Sequence, residues 1–249
     1  ATANARIGSR YSVIGYINEK MSGISSLDTV KELLDQAEND FPALLARLEN
    51  IRSTILEQNT CRNGMILDMT GDAQVFEKIS PSVDTFLSQL PGDSSGSKLQ
   101  NFYSEIHPWA IAAKKEMAAE APLVNEGFVV PTQVSYVGKG GRLYEPGEKV
   151  SASTAVIQKF LGTGYMWDNV RVMGGAYGGF CLFNDRNGVF SFLSYRDPNL
   201  DKTIDVYDGA ADALLASAKD METDTDALAT AIIGAIGDMD GALSPDQKG

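Results

Sequence analysis

Arg171 and Tyr177 stand six residues apart in a glycine-rich segment, residues 170–180, and are the residues there best suited to chemistry. Arginine offers a planar fork of five N–H donors that matches carbonyl and carboxylate oxygens, and tyrosine adds a hydroxyl donor on a rigid ring. The neighbouring glycines, among them Gly174 and Gly175, allow a backbone to approach a ligand closely and to adopt positive φ angles. The pattern indicates either a contact with a peptide backbone or a loop packed tightly for structural reasons.

The sequence contains one histidine, His107, and two cysteines, Cys61 and Cys181. A zinc peptidase motif of the HExxH or HxxEH kind needs two histidines on one helix, and a structural zinc site needs four ligands. A Ser-His-Asp triad would have to use His107, which no GxSxG motif accompanies, so we predict a capping or packing role for it. Neither a GxxxxGK[ST] loop nor a Rossmann glycine pattern occurs. The sequence therefore predicts no metal site and no complete catalytic apparatus in this chain.

The net charge of −12 argues against a nucleic-acid partner and against an anionic membrane surface. It permits a basic partner, although acidity most often serves solubility. No apolar run approaches the roughly 18 residues that a membrane-spanning helix needs. The two cysteines form no CxxC motif or disulfide framework, which favours a reducing compartment and predicts that both are core thiols.

In the first half of the chain, residues 10–24 predict an irregular or briefly helical segment. Apolar residues recur at helical spacing from Ser26 and again from Phe41, which predicts long amphipathic helical structure ending near Asn59. Residues 65–70 predict a strand, and residues 75–90 predict a further helix that Pro81 interrupts.

The second half has a different texture. Residues 128–130 and 133–137 predict strands with a turn at 138–141, and a helix is predicted at 110–121 and another from Ser151 or Ser153 to Leu161. The Asn187–Gly188 pair predicts a hairpin between strands at 176–183 and 188–195. Helices are predicted after Asp197 and at 227–236, with a loop from 237 to the end. This order predicts an α+β fold with antiparallel strands, not alternating βαβ units.

Three long segments carry a family resemblance, with weaker support elsewhere in both halves of the chain. Together they resemble the presequence-protease family of pitrilysin/insulinase-like zinc metallopeptidases, which act in organelles. The long segments are residues 131–138, 171–180 and 188–199, and the supporting ones are residues 15–24, 61–70 and 231–238.

The resemblance implies a fragment of the C-terminal half of a larger enzyme. Family members have four related α+β domains in two halves that close around a chamber, each domain an antiparallel sheet flanked by helices. Residues 1–93 would then be the end of the third domain, residues 94–124 a connecting segment with a helix, and residues 125–249 a fourth domain truncated at its C-terminus. The Zn²⁺ cofactor would be bound by an HxxEH motif in the N-terminal half, which is missing here, and none would be bound by this fragment.

The resemblance also implies roles for the glycine-rich segment. Arg171 and Tyr177 match an arginine and a tyrosine that the fourth domain presents to the zinc site. They would be catalytic, one or both stabilising the oxyanion that forms at the scissile carbonyl. Together with Gly174 and Gly175 they would bind the substrate backbone. The structural alternative is that Arg171 only pairs with an acid such as Asp168 or Asp197.

The implied function is the degradation of cleaved organellar targeting peptides and other short unfolded peptides by a zinc metalloendopeptidase. This fragment would supply substrate binding, would be inactive alone, and would have the N-terminal half of the same enzyme as its partner. The implied location is the mitochondrial matrix or the chloroplast stroma. Because targeting peptides are rich in arginine and poor in acids, the negative charge of the chain would attract them. The alternative is a non-catalytic peptide-binding or structural subunit of a pitrilysin-like complex.

Overall fold

A computed structural model describes residues 2–55, 67–90, 106–120, 125–220 and 225–248. The chain divides into two compact units. The first unit combines Ala1–Leu27 with Pro108–Gly241, and the second combines Asp28–His107 with Ala242–Gly249. The domain limits at residues 93 and 124 stay a prediction from the sequence.

Two helices occupy the region where the apolar periodicity predicts long helical structure: α3 (Ser26–Asn39) and α4 (Phe41–Ser53). Asp40 separates them, because its side chain accepts the backbone N–H of Ala43 at 3.3 Å and so caps the start of α4. Pro42 follows in the first turn, where a missing N–H costs little. The helix end predicted near Asn59 lies outside the described residues.

The helix α5 (Ala73–Gln89) runs through Pro81, so the predicted interruption is wrong. A proline removes one backbone hydrogen bond, but the helical turns on either side of Pro81 keep theirs and the helix continues. The Asp72 side chain caps its start by accepting the N–H of Val75. The strand predicted at 65–70 is also wrong where the structure describes it: residues 67–70 pair with no other described strand. Residues 65 and 66 lie outside the described part. A short helix, α10 (Pro245–Lys248), interrupts the loop predicted at the C-terminus.

The first unit is built on three antiparallel strands: β1 (Gly138–Arg142), β2 (Gly178–Asn184) and β3 (Val189–Tyr195). Their order is β1-β3-β2, and β2 pairs with β3 through the predicted hairpin. The hairpin prediction is confirmed to within two residues. Its loop is the four residues between Asn184 and Val189, where the Asn184 side chain accepts the N–H of Arg186 at 3.0 Å and Gly188 takes a φ of +69°. A small antiparallel sheet with many helices makes the described fold α+β.

Strand β1 corrects the prediction of a turn at residues 138–141. Gly140 is paired with Ser191 of β3, and a Cβ added to Gly140 would lie 2.8 Å from the carbonyl oxygen of Phe190 and 2.9 Å from Ile7. Glycine is therefore what allows a helix to pack against this strand. The strands predicted at 128–130 and 133–137 are wrong. In the described residues 125–137, Ser135 forms a bridge with Asp197 and Val137 accepts the N–H of Ser194 at 2.8 Å, but neither range forms a strand.

Helices surround this sheet. Helix α7 (Ser153–Phe160) continues into two π-helical segments, Leu161–Tyr165 and Trp167–Met173, and α8 (Asp201–Asp220) and α9 (Asp226–Met239) follow the hairpin. The helices predicted in these regions are confirmed. Helix α9 packs against α7, and the apolar sides of the other helical segments meet the sheet in one core. Its buried residues are Val137, Leu161, Met166, Val170, Ala176, Cys181, Phe190 and Tyr207.

Three further helices lie outside this core: α1 (Thr2–Gly8), α2 (Val13–Ser22) and α6 (Pro108–Ala119). Helix α6 confirms the helix predicted at 110–121 to within two residues. Residues 13–22 are fully helical, not irregular, since the Ser12 side chain caps α2 by accepting the N–H of Gly15. Among the described helices, none is long and apolar enough to cross a bilayer.

Ionic contacts join these helices. Arg6 donates two hydrogen bonds to Glu126, at 2.8 and 2.6 Å, and Arg10 and Lys20 each lie 3.2 Å from Glu120. The hydrogen bond from Arg6 lowers the pKa of Glu126 below its ordinary value. Burial alone would raise the pKa of Glu120, but the hydrogen bonds from Lys20 and Tyr16 lower it on balance. These pairs attach the N-terminal helices to residues that precede the sheet.

Candidate functional site

Arg171 lies in the second π-helical segment, one residue after Val170, which is buried in the core. The segment ends there, since the N–H of Gly175 bonds to the carbonyl of Arg171 at 2.9 Å and the N–H of Ala176 bonds to that of Val170 at 3.1 Å. The buried valine fixes the backbone while the arginine side chain faces solvent. A π-helical turn often marks a functional segment.

The guanidinium of Arg171 lies over an aromatic platform. Its central carbon is 4.0 Å from the ring centroid of Trp167 and 5.9 Å from that of Tyr177. In the described part of the chain Arg171 makes no ion pair or hydrogen bond through its side chain, with Asp168 and Asp197 included. The five donors of the fork are therefore available to a ligand, and the structural alternative of a pairing with either acid has no support.

Tyr177 is held by its backbone and exposed through its side chain. Its N–H bonds to the carbonyl of Tyr195 at 3.0 Å, next to the start of β2. Its side chain is 67% exposed, and its ring meets the ring of Tyr195 edge-on, with 5.8 Å between centroids. Within the described residues its hydroxyl makes no hydrogen bond, so this donor is also free for a ligand.

Gly174 and Gly175 form the bend that brings Tyr177 beside Arg171. Gly175 has a φ of +77°, a conformation that glycine adopts without steric cost. A Cβ on Gly174 would lie 2.5 Å from the carbonyl oxygen of Val170, so the bend has no space for a side chain there. In the structure these glycines shape the chain between the two candidate residues. A direct contact with substrate backbone stays a prediction for both.

The buried Asp197 fixes the turn that holds the Gly174 backbone, a role that the sequence reasoning missed. It is fully buried, its carboxylate accepts the Thr203 hydroxyl at 2.7 Å and the N–H of Asn199 at 2.9 Å, and its backbone pairs with Ser135. Asn199 in turn donates to the carbonyl of Gly174 at 2.6 Å. The Asp-Pro-Asn sequence before a helix is a signal for such a turn, although it does not show which loop the turn holds.

A row of aromatic rings continues from the candidate pair, and the sequence reasoning missed this row as well. Tyr136 contacts Tyr195 edge-on at 5.4 Å, and Tyr195 contacts Tyr177 in turn. All three rings and Trp167 are at least 40% exposed. The residues come from three separate segments of the chain, so no local spacing could have revealed them as neighbours.

The core beneath the site contains two buried titratable groups. Burial raises the pKa of the Cys181 thiol to about 12. Burial also raises the pKa of the Tyr207 hydroxyl, which donates to the carbonyl of Val137 at 3.2 Å. Both groups stay neutral at physiological pH, and the prediction that Cys181 is a core thiol is confirmed. Cys61 lies outside the described residues.

The chemistry available at this face is hydrogen-bond donation beside flat apolar rings. Two exposed donors, the Arg171 fork and the Tyr177 hydroxyl, can reach carbonyl or carboxylate oxygens, and the rings can hold apolar or planar groups. In the described part of the chain no three His, Cys, Asp or Glu side chains are grouped so that they could hold a metal ion. The donor set described here therefore does not fit a zinc ion.

The fold and the exposed pair define an α+β domain that presents two adjacent hydrogen-bond donors to solvent. Residues 125–249, half of the chain, match the family model described as the PreP C-terminal domain. The chain therefore belongs to the PreP C-terminal domain family, and the resemblance to presequence proteases is confirmed.

Curated relatives agree with this assignment. The chain is 40% identical over 247 residues to presequence protease 1, chloroplastic/mitochondrial, of Arabidopsis thaliana, covering 99% of this chain and 21% of that protein. It is 28% identical to protein HypA of Clostridium perfringens over 94% of this chain and 21% of that protein. It is 28% identical to the mitochondrial presequence protease of Kluyveromyces lactis over 82% of this chain and 20% of that protein. The chain thus spans about a fifth of the length of these relatives.

Proposed function

We propose that this chain is the substrate-binding part of the C-terminal half of a zinc metalloendopeptidase that degrades targeting peptides and other short unfolded peptides. Family membership and the names of the presequence-protease relatives support a peptidase of this type. Those names also support a mitochondrial or chloroplast location. In this proposal residues 1–93 end a preceding related domain, and the pitrilysin-like fold belongs to the domain at 125–249.

One observation carries the site assignment: Arg171 and Tyr177 are adjacent, exposed and without hydrogen bonds from their side chains in the described residues. A guanidinium held on the Trp167 ring is oriented before a ligand arrives, so less side-chain entropy is lost on binding. In the proposed enzyme Arg171 donates to the backbone carbonyl beside the scissile bond, and Tyr177 donates to the oxygen on which negative charge develops. Such preorganised donors stabilise the transition state more than the ground state.

Zn²⁺ would supply Lewis-acid activation of the carbonyl in the complete enzyme. The described residues do not fit this ion, so its ligands are proposed to lie in the N-terminal half. This chain contributes the donors and the aromatic surface that orient the peptide. It would not hydrolyse a peptide alone.

The test is the Arg171→Ala variant of the longer protein that contains this chain, compared with Arg186→Ala. Arg186 is exposed in the hairpin turn and gives the same change in charge away from the site. We expect kcat/KM for a short unfolded peptide to fall about 100- to 1000-fold in Arg171→Ala, as for the loss of one preorganised donor. Zinc content should be unchanged, and Arg186→Ala should retain the activity.

Normal turnover of the Arg171→Ala protein would disprove the catalytic assignment. If the unmodified longer protein binds peptides but cleaves none, the chain belongs to a non-catalytic peptide-binding subunit. Tyr177→Phe, which removes only the hydroxyl, should lower kcat more than it raises KM.

A further inference from the structure

A second arginine, Arg196, lies beside Tyr195 in the aromatic row. Its guanidinium carbon lies 5.8 Å from the ring centroid of Tyr195, and Tyr195 contacts Tyr177. A continuous series of contacts therefore runs from Arg171 through the rings of Tyr177 and Tyr195 to Arg196. Successive partners in this series are about 6 Å apart.

Arg196 resembles Arg171 in lacking a partner. In the described part of the chain its side chain makes no ion pair or hydrogen bond, and it is exposed. An arginine on the surface of a chain with a net charge of −12 has many acids available for pairing. Arg171 and Arg196 both remain on the same row of rings without one.

The backbone conformation of Arg196 is also unusual. With a φ of +49° it is the one described residue other than glycine that has a positive φ. The next residue, Asp197, is fully buried and hydrogen-bonded on both sides of the turn. This anchored aspartate holds Arg196 in a conformation that glycine or asparagine would adopt more readily. Arginine at this position is therefore not explained by the needs of the turn.

We propose that Arg196 and Tyr195 form a subsite that binds a carboxylate of the peptide held by Arg171 and Tyr177. This inference rests on the proposed function and adds a specificity element to it. The guanidinium fork matches a carboxylate in two parallel hydrogen bonds, and the tyrosine ring supports the fork from one side. Targeting peptides are poor in acids, so we expect the C-terminal carboxylate to be the group bound.

The length of this series limits the distance between the group bound at Arg171 and the carboxylate bound at Arg196. Three steps of about 6 Å correspond to at most about five residues of extended peptide. A carboxylate bound at Arg196 therefore lies within about five residues of the peptide group that Arg171 contacts. The subsite would favour peptides in which a carboxylate lies at this short distance.

The test measures binding of a fluorescein-labelled basic octapeptide to this chain by fluorescence anisotropy. The peptide contains one glutamate and is compared in three forms: free C-terminus, amidated C-terminus, and glutamate replaced by glutamine. The protein variants are Arg196→Gly, Arg196→Lys, Arg171→Ala and the control Arg186→Gly. Glycine suits a positive φ, so Arg196→Gly removes the fork while the turn is retained, which an unchanged or higher Tm would verify.

We expect Arg196→Gly to weaken binding of the free-acid peptide at least about tenfold, as for the loss of charge-assisted hydrogen bonds. Amidation should weaken binding to the unmodified chain by a similar factor and should abolish the difference between that chain and Arg196→Gly. Arg196→Lys should recover part of the affinity, because it retains the charge and not the fork. The same pattern with the glutamine peptide in place of the amide would assign the subsite to a side-chain carboxylate.

The outcomes separate this inference from the proposed function. If the unmodified chain binds none of the peptides, or if Arg171→Ala binds them all as well as the unmodified chain, the proposed function fails. If Arg171→Ala loses binding while Arg196→Gly behaves like Arg186→Gly with every peptide, the carboxylate subsite alone is disproved.

Discussion

The guanidinium of Arg171 lies 4.0 Å from the ring centroid of Trp167, four residues earlier on the same π-helical segment. This contact holds a charged side chain at a defined position without an acid to neutralise it. An ion pair would have satisfied the fork and left it with fewer donors for a ligand. The tryptophan thus orients the arginine and leaves its donors available.

Replacing Trp167 by alanine should weaken peptide binding about two- to fivefold, because an exposed cation–π contact contributes about 0.5–1 kcal/mol. The control is Trp109→Ala, which removes the only other tryptophan of the sequence. Anisotropy titrations of the two variants with the same labelled peptide give the affinities to compare. Equal affinities would show that Trp167 does not orient Arg171.

Replacing Asp197 by alanine should lower the free energy of unfolding by roughly 3 kcal/mol, because the part-buried N–H of Asn199 and the buried hydroxyl of Thr203 lose a charged acceptor. The exposed Asp201 at the start of α8 provides the control, and Asp201→Ala should cost well under half as much. Urea unfolding followed by circular dichroism gives both values. A loss in Asp197→Ala no larger than in Asp201→Ala would contradict the anchoring role.

The Cys181 thiol should be inert in the folded protein. It is 6% exposed, and burial raises its pKa to about 12, so almost no thiolate exists at pH 8. In the Cys61→Ser variant, Ellman's reagent should therefore react with no thiol under native conditions and with one in denaturant. Rapid native labelling of that variant would show that the core beneath the site is open.

Acid should weaken the attachment of the N-terminal helices. The hydrogen bond from Arg6 lowers the pKa of Glu126 in the folded state, so the stabilisation is complete above the unfolded pKa of about 4.3. It is lost as the pH falls through the lowered folded value. Unfolding free energies measured from pH 7 to pH 3 should decline less steeply in Glu126→Gln than in the unmodified chain.

The control for this experiment is Glu38→Gln, which changes an exposed carboxylate of α3. Its pH profile should match that of the unmodified chain. Identical profiles for Glu126→Gln and Glu38→Gln would show that the Arg6–Glu126 pair does not link protonation to folding.

Salt should weaken the binding of basic peptides. The net charge of −12 attracts an arginine-rich peptide, and this long-range attraction is screened over about 8 Å at physiological salt. The affinity for a basic octapeptide should fall between 50 and 500 mM NaCl more than the affinity for a neutral octapeptide of equal length. An equal loss of affinity for the two peptides would show that the net charge of the chain does not attract the basic peptide.

Local sequence was sufficient where neighbouring residues determine the conformation. The turn residues between Asn184 and Val189 located the β2–β3 hairpin, and apolar spacing located α7, α8 and α9. It failed at β1, because a run of glycines indicates a turn locally and becomes a strand only when β3 and Ile7 lie against it. It also failed at Pro81, where the surrounding turns outweigh one missing hydrogen bond.

The sequence by itself determined the family, the hairpin and the placement of an arginine and a tyrosine six residues apart with two glycines between them, since these depend on residue types at short spacing. Tertiary structure decided which groups surround that pair. Trp167 reaches Arg171 within one π-helical segment, whereas Tyr195 and Arg196 lie beside Tyr177 only because β2 pairs with β3 and because the buried Asp197 fixes the turn that follows. Contacts between segments far apart in the chain depend on the packing of the whole core, which no local spacing encodes.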